Sequence, residues 1–384
     1  MARPRIIQAL TSLRLTIVLL SLAMVLVFIG TLAQKNLDAF YAQQKYFNTW
    51  FVYWTPQGSH WSIPVFPGGF LLGSVFLLNL IAAHAVRFKM TWKKSGIILA
   101  HAGLILLLVG GLFTALWSRE SRMTIAPGAS KSYTESFKEF ELVIIDKSNP
   151  ENDRVVSIPP SLLATHKVIQ LPELPFTVKS PRYLENARLD MWKPGAPPQL
   201  ADKGMGIRLD AVPVAPTTRP EEENYPAAFV TLEMPSGPLG TWLVWSSPFG
   251  ESVPPQTFTV DGTNYEIQLR LKRFYKPYRI HLDHLTHEEY AGTGIPKNFA
   301  SQIQLNDPKR HEDRKTLIYM NHPLRYAGET FYQYQTLADD KFTVLEVVRN
   351  PSWMLPYISC SLVGLGLVVQ FGMHLFGFIK RRAA

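Results

Sequence analysis

The stretch GIILAHAGLILLLVGG, residues Gly96–Gly111, is hydrocarbon except for one imidazole, His101. It lies inside an unbroken apolar segment, Ser95–Trp117, and about 20 such residues cross a bilayer as a helix. An ionisable group at that depth is costly and ordinarily faces a cavity, a relay or a ligand. Three more segments read the same way: Leu15–Leu32, Phe66–Val86 and Trp353–Ile379. The expected fold is a membrane protein with four transmembrane α-helices.

Composition agrees. Of the 384 residues, 47% are hydrophobic and 18% charged, below the soluble average of about 25%. The net charge of +9 is concentrated. Ten of the 39 basic residues fall in three short clusters without acids: Arg3, Arg5 and Arg14; Arg87, Lys89, Lys93 and Lys94; Lys380, Arg381 and Arg382. The other 29 nearly balance 30 acidic residues, so nucleic acid is not expected as a partner. The clusters precede the first segment, separate the second from the third, and follow the fourth. Alternating crossings put all three on one side, which the positive-inside rule makes the cytoplasm. Both termini are then cytoplasmic, and residues 35–65 and 118–352 lie outside. The first segment is long for a signal-peptide core, and GTLAQKN is a poor cleavage site, so a retained helix is expected.

The domain plan is a membrane region 1–117, an extracytoplasmic domain 118–352, and a closing helix with a basic tail, 353–384. Strand-like runs fill the domain: FELVIID, FTVKS, AAFVTLEM, TWLVW, TFTV, YEIQLRLKRF, SQIQL and FTVLEVV. Gly, Pro, Asn and Asp clusters separate them, with Asp261-Gly262 reading as a tight hairpin turn. A large β-rich domain between helices 3 and 4 follows, with a Pro-rich insertion at 190–226. The external loop 35–65 carries Trp50, Phe51, Tyr53, Trp54 and Trp61 and reads as an amphipathic segment in the membrane interface. Cys360 is the only cysteine, which excludes an intramolecular disulfide, a CxxC pair and a thiolate metal cluster on this chain alone.

Three histidines share a layer. At 1.5 Å per helical residue, His101 lies about 10 Å from Lys94, His84 about 5 Å from Arg87 and His374 about 9 Å from Lys380. All three fall in the cytoplasmic third of the bilayer. Imidazole is a common axial ligand of haem iron, and small residues beside each histidine would let a macrocycle approach. The same small residues also allow close helix packing without a ligand. Position alone leaves both readings open. In the outer domain, His281, His284 and His287 have a spacing that could bind zinc on a helix, but their surroundings read as strand and loop. No hydrolase, P-loop or dinucleotide motif is present, and no catalytic residue is assigned.

The stretch MNHPLRYAGETFYQYQ, residues 320–335, resembles the signature of the ResB-like family of cytochrome c biogenesis proteins, of the form N-x-P-L-x-Y-x-G-x-x-F-Y-Q. Asn321, Pro323, Leu324, Tyr326, Gly328, Phe331, Tyr332 and Gln333 match it. The opening helix with Gly30-Thr31 and Gln34, the HAGLILLLVGG helix and GTGIPKNFASQIQL are also similar to the family. The resemblance implies one component of a two-component haem synthase (System II) in the bacterial inner membrane, its large domain periplasmic. There it carries haem outward and supports covalent attachment to apocytochrome c. The implied partners are a multispan tryptophan-rich haem-handling protein, apocytochrome c and a separate thiol reductant protein. The implied cofactor is haem b, held alone or shared with the partner subunit. His101 carries over as axial ligand to the haem iron and His374 as a second candidate, while His84 has less family support. The tryptophan-rich motif is absent, so the chain is not a fusion of both components. Two alternatives stand: a scaffold that stabilises the multispan partner without binding haem, and a one-haem membrane electron carrier.

Overall fold

Uninterrupted apolar runs become helices because a helix satisfies its own backbone polar groups. The computed structural model describes residues 5–37, 39–56, 61–87, 91–193, 199–217, 223–246, 254–292, 296–337 and 341–383. Arg3, Lys89 and parts of the Pro-rich stretch (194–198 and 218–222) lie outside the described residues. The helices are α1 (Arg5–Leu10), α2 (Leu13–Ala33), α3 (Ala39–Ala42), α4 (Gly69–Arg87), α5 (Ser95–Trp117), α6 (Pro160–Leu163) and α7 (Leu355–Ala383). Among the described residues four stretches, Leu13–Ala33, Gly69–Val86, Trp92–Trp117 and Leu355–Arg382, are long and apolar enough to span a membrane. One unit contains the residues up to Arg119 and those from Arg349 onward; the other contains Glu120–Thr218 and Glu222–Val348.

Local chemistry sets the helix ends. The Ser12 side chain caps α2 by accepting from the Arg14 amide at 3.2 Å. The break between α1 and α2 leaves carbonyls without helical partners. Asn79 of α4, 1% exposed, supplies the donor: its Nδ2 donates to Leu10 O at 2.6 Å, and Thr16 Oγ1 donates to its Oδ1 at 2.7 Å. The α4 helix starts at Gly69 rather than Phe66, because Phe66 pairs with Val52 in a two-stranded hairpin.

That hairpin, Phe51–Trp54 with Ile63–Pro67, occupies the loop expected to be an amphipathic segment. Val52 is buried against Leu19, Leu26 and Leu72 of α2 and α4. The Gly68 amide donates to Trp50 O at 2.9 Å, and the Gly68 and Gly69 backbones lie against Thr49 and Phe47 with no room for a Cβ. The hairpin is therefore fixed to the helices by its Val52 side, while Phe51, Tyr53, Trp54, Trp61, Ile63 and Val65 are exposed. No Asp, Glu, Lys or Arg occurs from Tyr46 through Val86. Amphipathic rings without formal charge suit the bilayer interface. With Cys360→Ser as background, cysteines at Trp54 and Trp61 in nanodiscs should react slowly with an impermeant maleimide. Labelling as fast as at Lys315→Cys, a 65% exposed position, would refute the placement.

In the second unit the strand Thr263–Glu289 pairs antiparallel with Ser130–Asp146 within a ten-stranded sheet. Where they meet at one end, Leu142, Ile144 and Ile267 pack against Val230, Leu232 and Trp242 of a four-stranded sheet. At the other end the large sheet curls around its own core of Ile280, Leu282, Ile303, Phe331 and Leu345. The pairing shifts register between Leu271 and Arg273, where partners pass from Phe140 to Glu135. At that break Arg270 Nε donates to Glu141 Oε1 at 3.1 Å, with both side chains buried, and Ser157 Oγ donates to Glu141 Oε2 at 2.6 Å. The expected strands are all present. Asp261 and Gly262 both have positive φ (49° and 80°), as their hairpin turn requires. The Pro-rich stretch includes a strand, Leu209–Pro213, paired with Ala187–Met191.

Candidate functional site

The small residues of α5 serve helix packing. Gly96, Gly103 and Gly110 recur every seven residues and are buried. A Cβ on Gly96 would meet Gln370 N at 2.6 Å, one on Gly103 would meet Ser359 O at 2.8 Å, and one on Gly110 would meet Leu355 Cβ at 3.0 Å. From α7, a Cβ on Gly366 would meet Gly96 O at 2.7 Å. Along α5 the facing α7 residues fall from 370 to 355, so the two helices are antiparallel and nearly in backbone contact.

His101 points elsewhere. At 100° per residue it lies about 140–200° around the helix from those glycines. On that face it meets α4: the rings of His84 and His101 are 4.6 Å apart at 57°. Each Nδ1 donates to the carbonyl one turn earlier, His84 to Leu80 O and His101 to Ile97 O, both at 2.9 Å. A carbonyl can only accept, so Nδ1 of each ring carries a proton. Metal-binding histidines ordinarily use this arrangement, with the second nitrogen fixing ring orientation and tautomer.

The donor set fits one axial bond to a haem iron, though not a coaxial pair. Two imidazoles on opposite sides of one iron, with metal–nitrogen bonds of about 2 Å, have ring centres roughly 6 Å apart. At 4.6 Å the two rings are too close for an iron between them. His374 is not part of this pair. Its Nε2 is 2.8 Å from Gln370 Nε2 on the same helix, and α7 packs on the glycine face of α5. Sequence placed three histidines in one layer; the structure brings together His84 and His101.

In the second unit His281 Nδ1 is 2.9 Å from Ser130 Oγ and His287 stacks on Phe299 at 4.4 Å. Among the described residues no group of three or more His, Cys, Asp or Glu side chains could hold a metal.

The 321–333 stretch maintains the fold. Leu324 and Phe331 enter the core, and Ala327-Gly328, with φ of 50° and 78°, form the turn between their strands. Tyr326 donates to Asp307 Oδ2 at 2.8 Å, and Ser301 Oγ donates to Gln333 Oε1 at 2.6 Å. Glu329 accepts from the Tyr278 hydroxyl at 2.7 Å and pairs with Lys276. The sequence did not point to Lys276, Tyr278 or Asn79 as partners in these networks, because each acts on a residue 51 or more positions away.

Burial and the bond to Asp307 push the Tyr326 phenol up to about 12, and burial beside Glu185 does the same to Tyr183. The folded unit keeps protons that an unfolded chain releases near pH 10. The contribution of these two phenols to stability is therefore level below pH 10 and falls between pH 10 and 12. Thermal melts by circular dichroism should show that fall, reduced in Tyr326→Phe; equal slopes in the two proteins would contradict this origin.

Residues 255–340 match the model of the ResB-like family, and the signature lies inside that match. That match and the signature within it support a ResB-like family member. It is also similar to Protein NrfI of Wolinella succinogenes, 26% identical over 117 residues. That similarity covers 30% of this chain and 13% of the relative, so the chain spans only a small part of NrfI.

Proposed function

We propose that this ResB-like chain is a subunit of a bacterial inner-membrane complex of cytochrome c biogenesis. In this reading the clustered basic residues put both termini in the cytoplasm and the β-rich unit in the periplasm. The subunit carries haem b towards the outer face, where it is attached covalently to apocytochrome c. Its partners are a multispan tryptophan-rich haem-handling protein, the apocytochrome and a thiol reductant protein; Cys360 alone provides no dithiol. His101 is the axial ligand, and the observation that carries the role is its Nδ1 bond to Ile97 O, which presents Nε2 for coordination. Haem, when bound, supplies the vinyl groups that react with thiols, so the chain contributes position and orientation rather than a nucleophile.

The test is the complex purified with its partner, wild type against His101→Ala. The Soret spectrum should change and the yield of c-type cytochrome should fall. An unchanged spectrum and haem content would remove the ligand role and favour the scaffold reading. Haem that is reducible in the isolated chain would favour an electron carrier.

A further inference from the structure

We propose that one face of the ten-stranded sheet, around Arg122, Arg273 and Tyr275, docks an acidic segment of a partner polypeptide. The inference stands apart from the haem reading, since it uses only residues of the second unit. Glu135, in the strand Ser130–Asp146, stands directly opposite Arg122 on one neighbouring strand and Arg273 on the other. Residues directly opposite in antiparallel strands share a face. Tyr133, two residues from Glu135 and opposite Tyr275, lies on that face too. Two cations stand at the Tyr133 ring: the Arg273 guanidinium 4.1 Å from its centre and the Lys131 ammonium 4.7 Å from it.

Charge does not balance here. Glu135 serves both Arg273, at 3.1 Å, and Lys131, at 3.9 Å. Arg122 lies 5.9 Å over the Phe137 ring and makes no ion pair among the described residues. Burial lowers the Lys131 ammonium from its ordinary range and Arg273 and Arg122 add to the shift, while Glu135 opposes it. Tyr225, also within reach of the Arg122 charge, is bonded to Glu223 at 3.1 Å, which brings a second carboxylate near without pairing it to Arg122. Arg270 is neutralised by Glu141, yet its Nη2 donates to the Tyr275 hydroxyl at 3.0 Å. That bond occupies a lone pair of the phenol and leaves its proton for another acceptor, and Tyr275 is 56% exposed. Cross-strand packing accounts for the Arg273–Glu135 pair. It does not account for Arg122 and Lys131 crowded against the same carboxylate, because like charges at close range repel. Arg122 and Arg273 flank one strand, so their backbones are about 10 Å apart. Cations spread over a sheet face suit several carboxylates on one chain better than a single small anion, and clustered arginines are a common recognition surface for acidic motifs.

The experiment uses the full chain in non-ionic detergent and a fluorescein-labelled hexaglutamate peptide, read by fluorescence anisotropy at low ionic strength, where screening is weak. Wild type should bind the peptide and release it as salt is raised. Arg122→Gln should weaken binding about tenfold and Tyr275→Phe about threefold, as the loss of a charge-assisted and an ordinary hydrogen bond does. Lys309→Gln and Arg381→Gln remove the same charge at exposed positions elsewhere and should bind like wild type. Tyr275 is exposed, so its phenylalanine variant carries the test if Arg122→Gln fails to fold. No binding by wild type, wild-type binding by both site variants, or an equal loss in Arg381→Gln would overturn the proposal. Displacement of the peptide by succinate at equal concentration would overturn it as well, since the face would then take a small dianion. None of these outcomes touches the haem reading, which stands or falls on His101→Ala.

Discussion

Glu329→Ala is expected to destabilise the β-rich unit by about 3–5 kcal/mol, the usual consequence of removing one member of a buried ion pair. The Lys276 and Glu329 side chains are only 5% and 8% exposed. Their pairing sits beside Tyr278, itself 3% exposed, whose hydroxyl donates to the other carboxylate oxygen. Deleting the carboxylate leaves an ammonium in the core and removes the acceptor of a buried phenol. For a unit of this size that loss lowers the melting temperature by roughly 6–20 °C. Lys276→Met in the Glu329→Gln background should recover most of it, since no buried charge is then left and the amide still accepts from Tyr278. Thermal melts of the detergent-solubilised chain decide. An unchanged melting temperature for Glu329→Ala would show that the ammonium finds water, contrary to its burial.

These residues show where sequence reading ends. Glu329 lies in the recognisable signature, yet nothing in the sequence distinguishes a buried glutamate from one on the solvent face. Its partner is 53 positions away, brought to it only by the pairing of distant strands. The long helices were legible because a bilayer needs a long apolar run, and α5 begins and ends at the expected residues. The strands were legible from runs bounded by turn residues. The hairpin at 51–67 was not, because four residues on one strand are too few for alternation to appear, and its aromatic richness fits an interfacial helix equally well. The position of His101 along α5 was likewise readable, since it is a count of residues from the helix start. Its azimuth was not, because the face a helix turns to each neighbour is set by packing.

That packing leads to the second large effect: Gly366→Leu is expected to separate α5 from α7 even in protein without haem. A Cβ at Gly366 would stand 2.5 Å from Ala100 N and 2.7 Å from Gly96 O. Both are backbone atoms, so no rotamer change relieves the clash, and the helices must move apart. Helix association inside a membrane depends on van der Waals contact between close backbones, so added separation removes most of the attraction. Gly103→Leu should act in the same way through Val363 and Ser359. Gly111→Ala and Gly364→Ala are the controls, because a Cβ there meets nothing within 4 Å. The readout is thermal stability and protease resistance of the haem-free chain in detergent. If the glycines instead existed to admit a macrocycle, the haem-free Gly366→Leu protein would be as stable as wild type and only its haem content would fall. The two roles for small residues, which sequence alone could not separate, thus predict opposite results in one measurement. The backbone contacts favour packing on the glycine face, and that leaves the opposite face of α5, where His101 meets His84, for coordination.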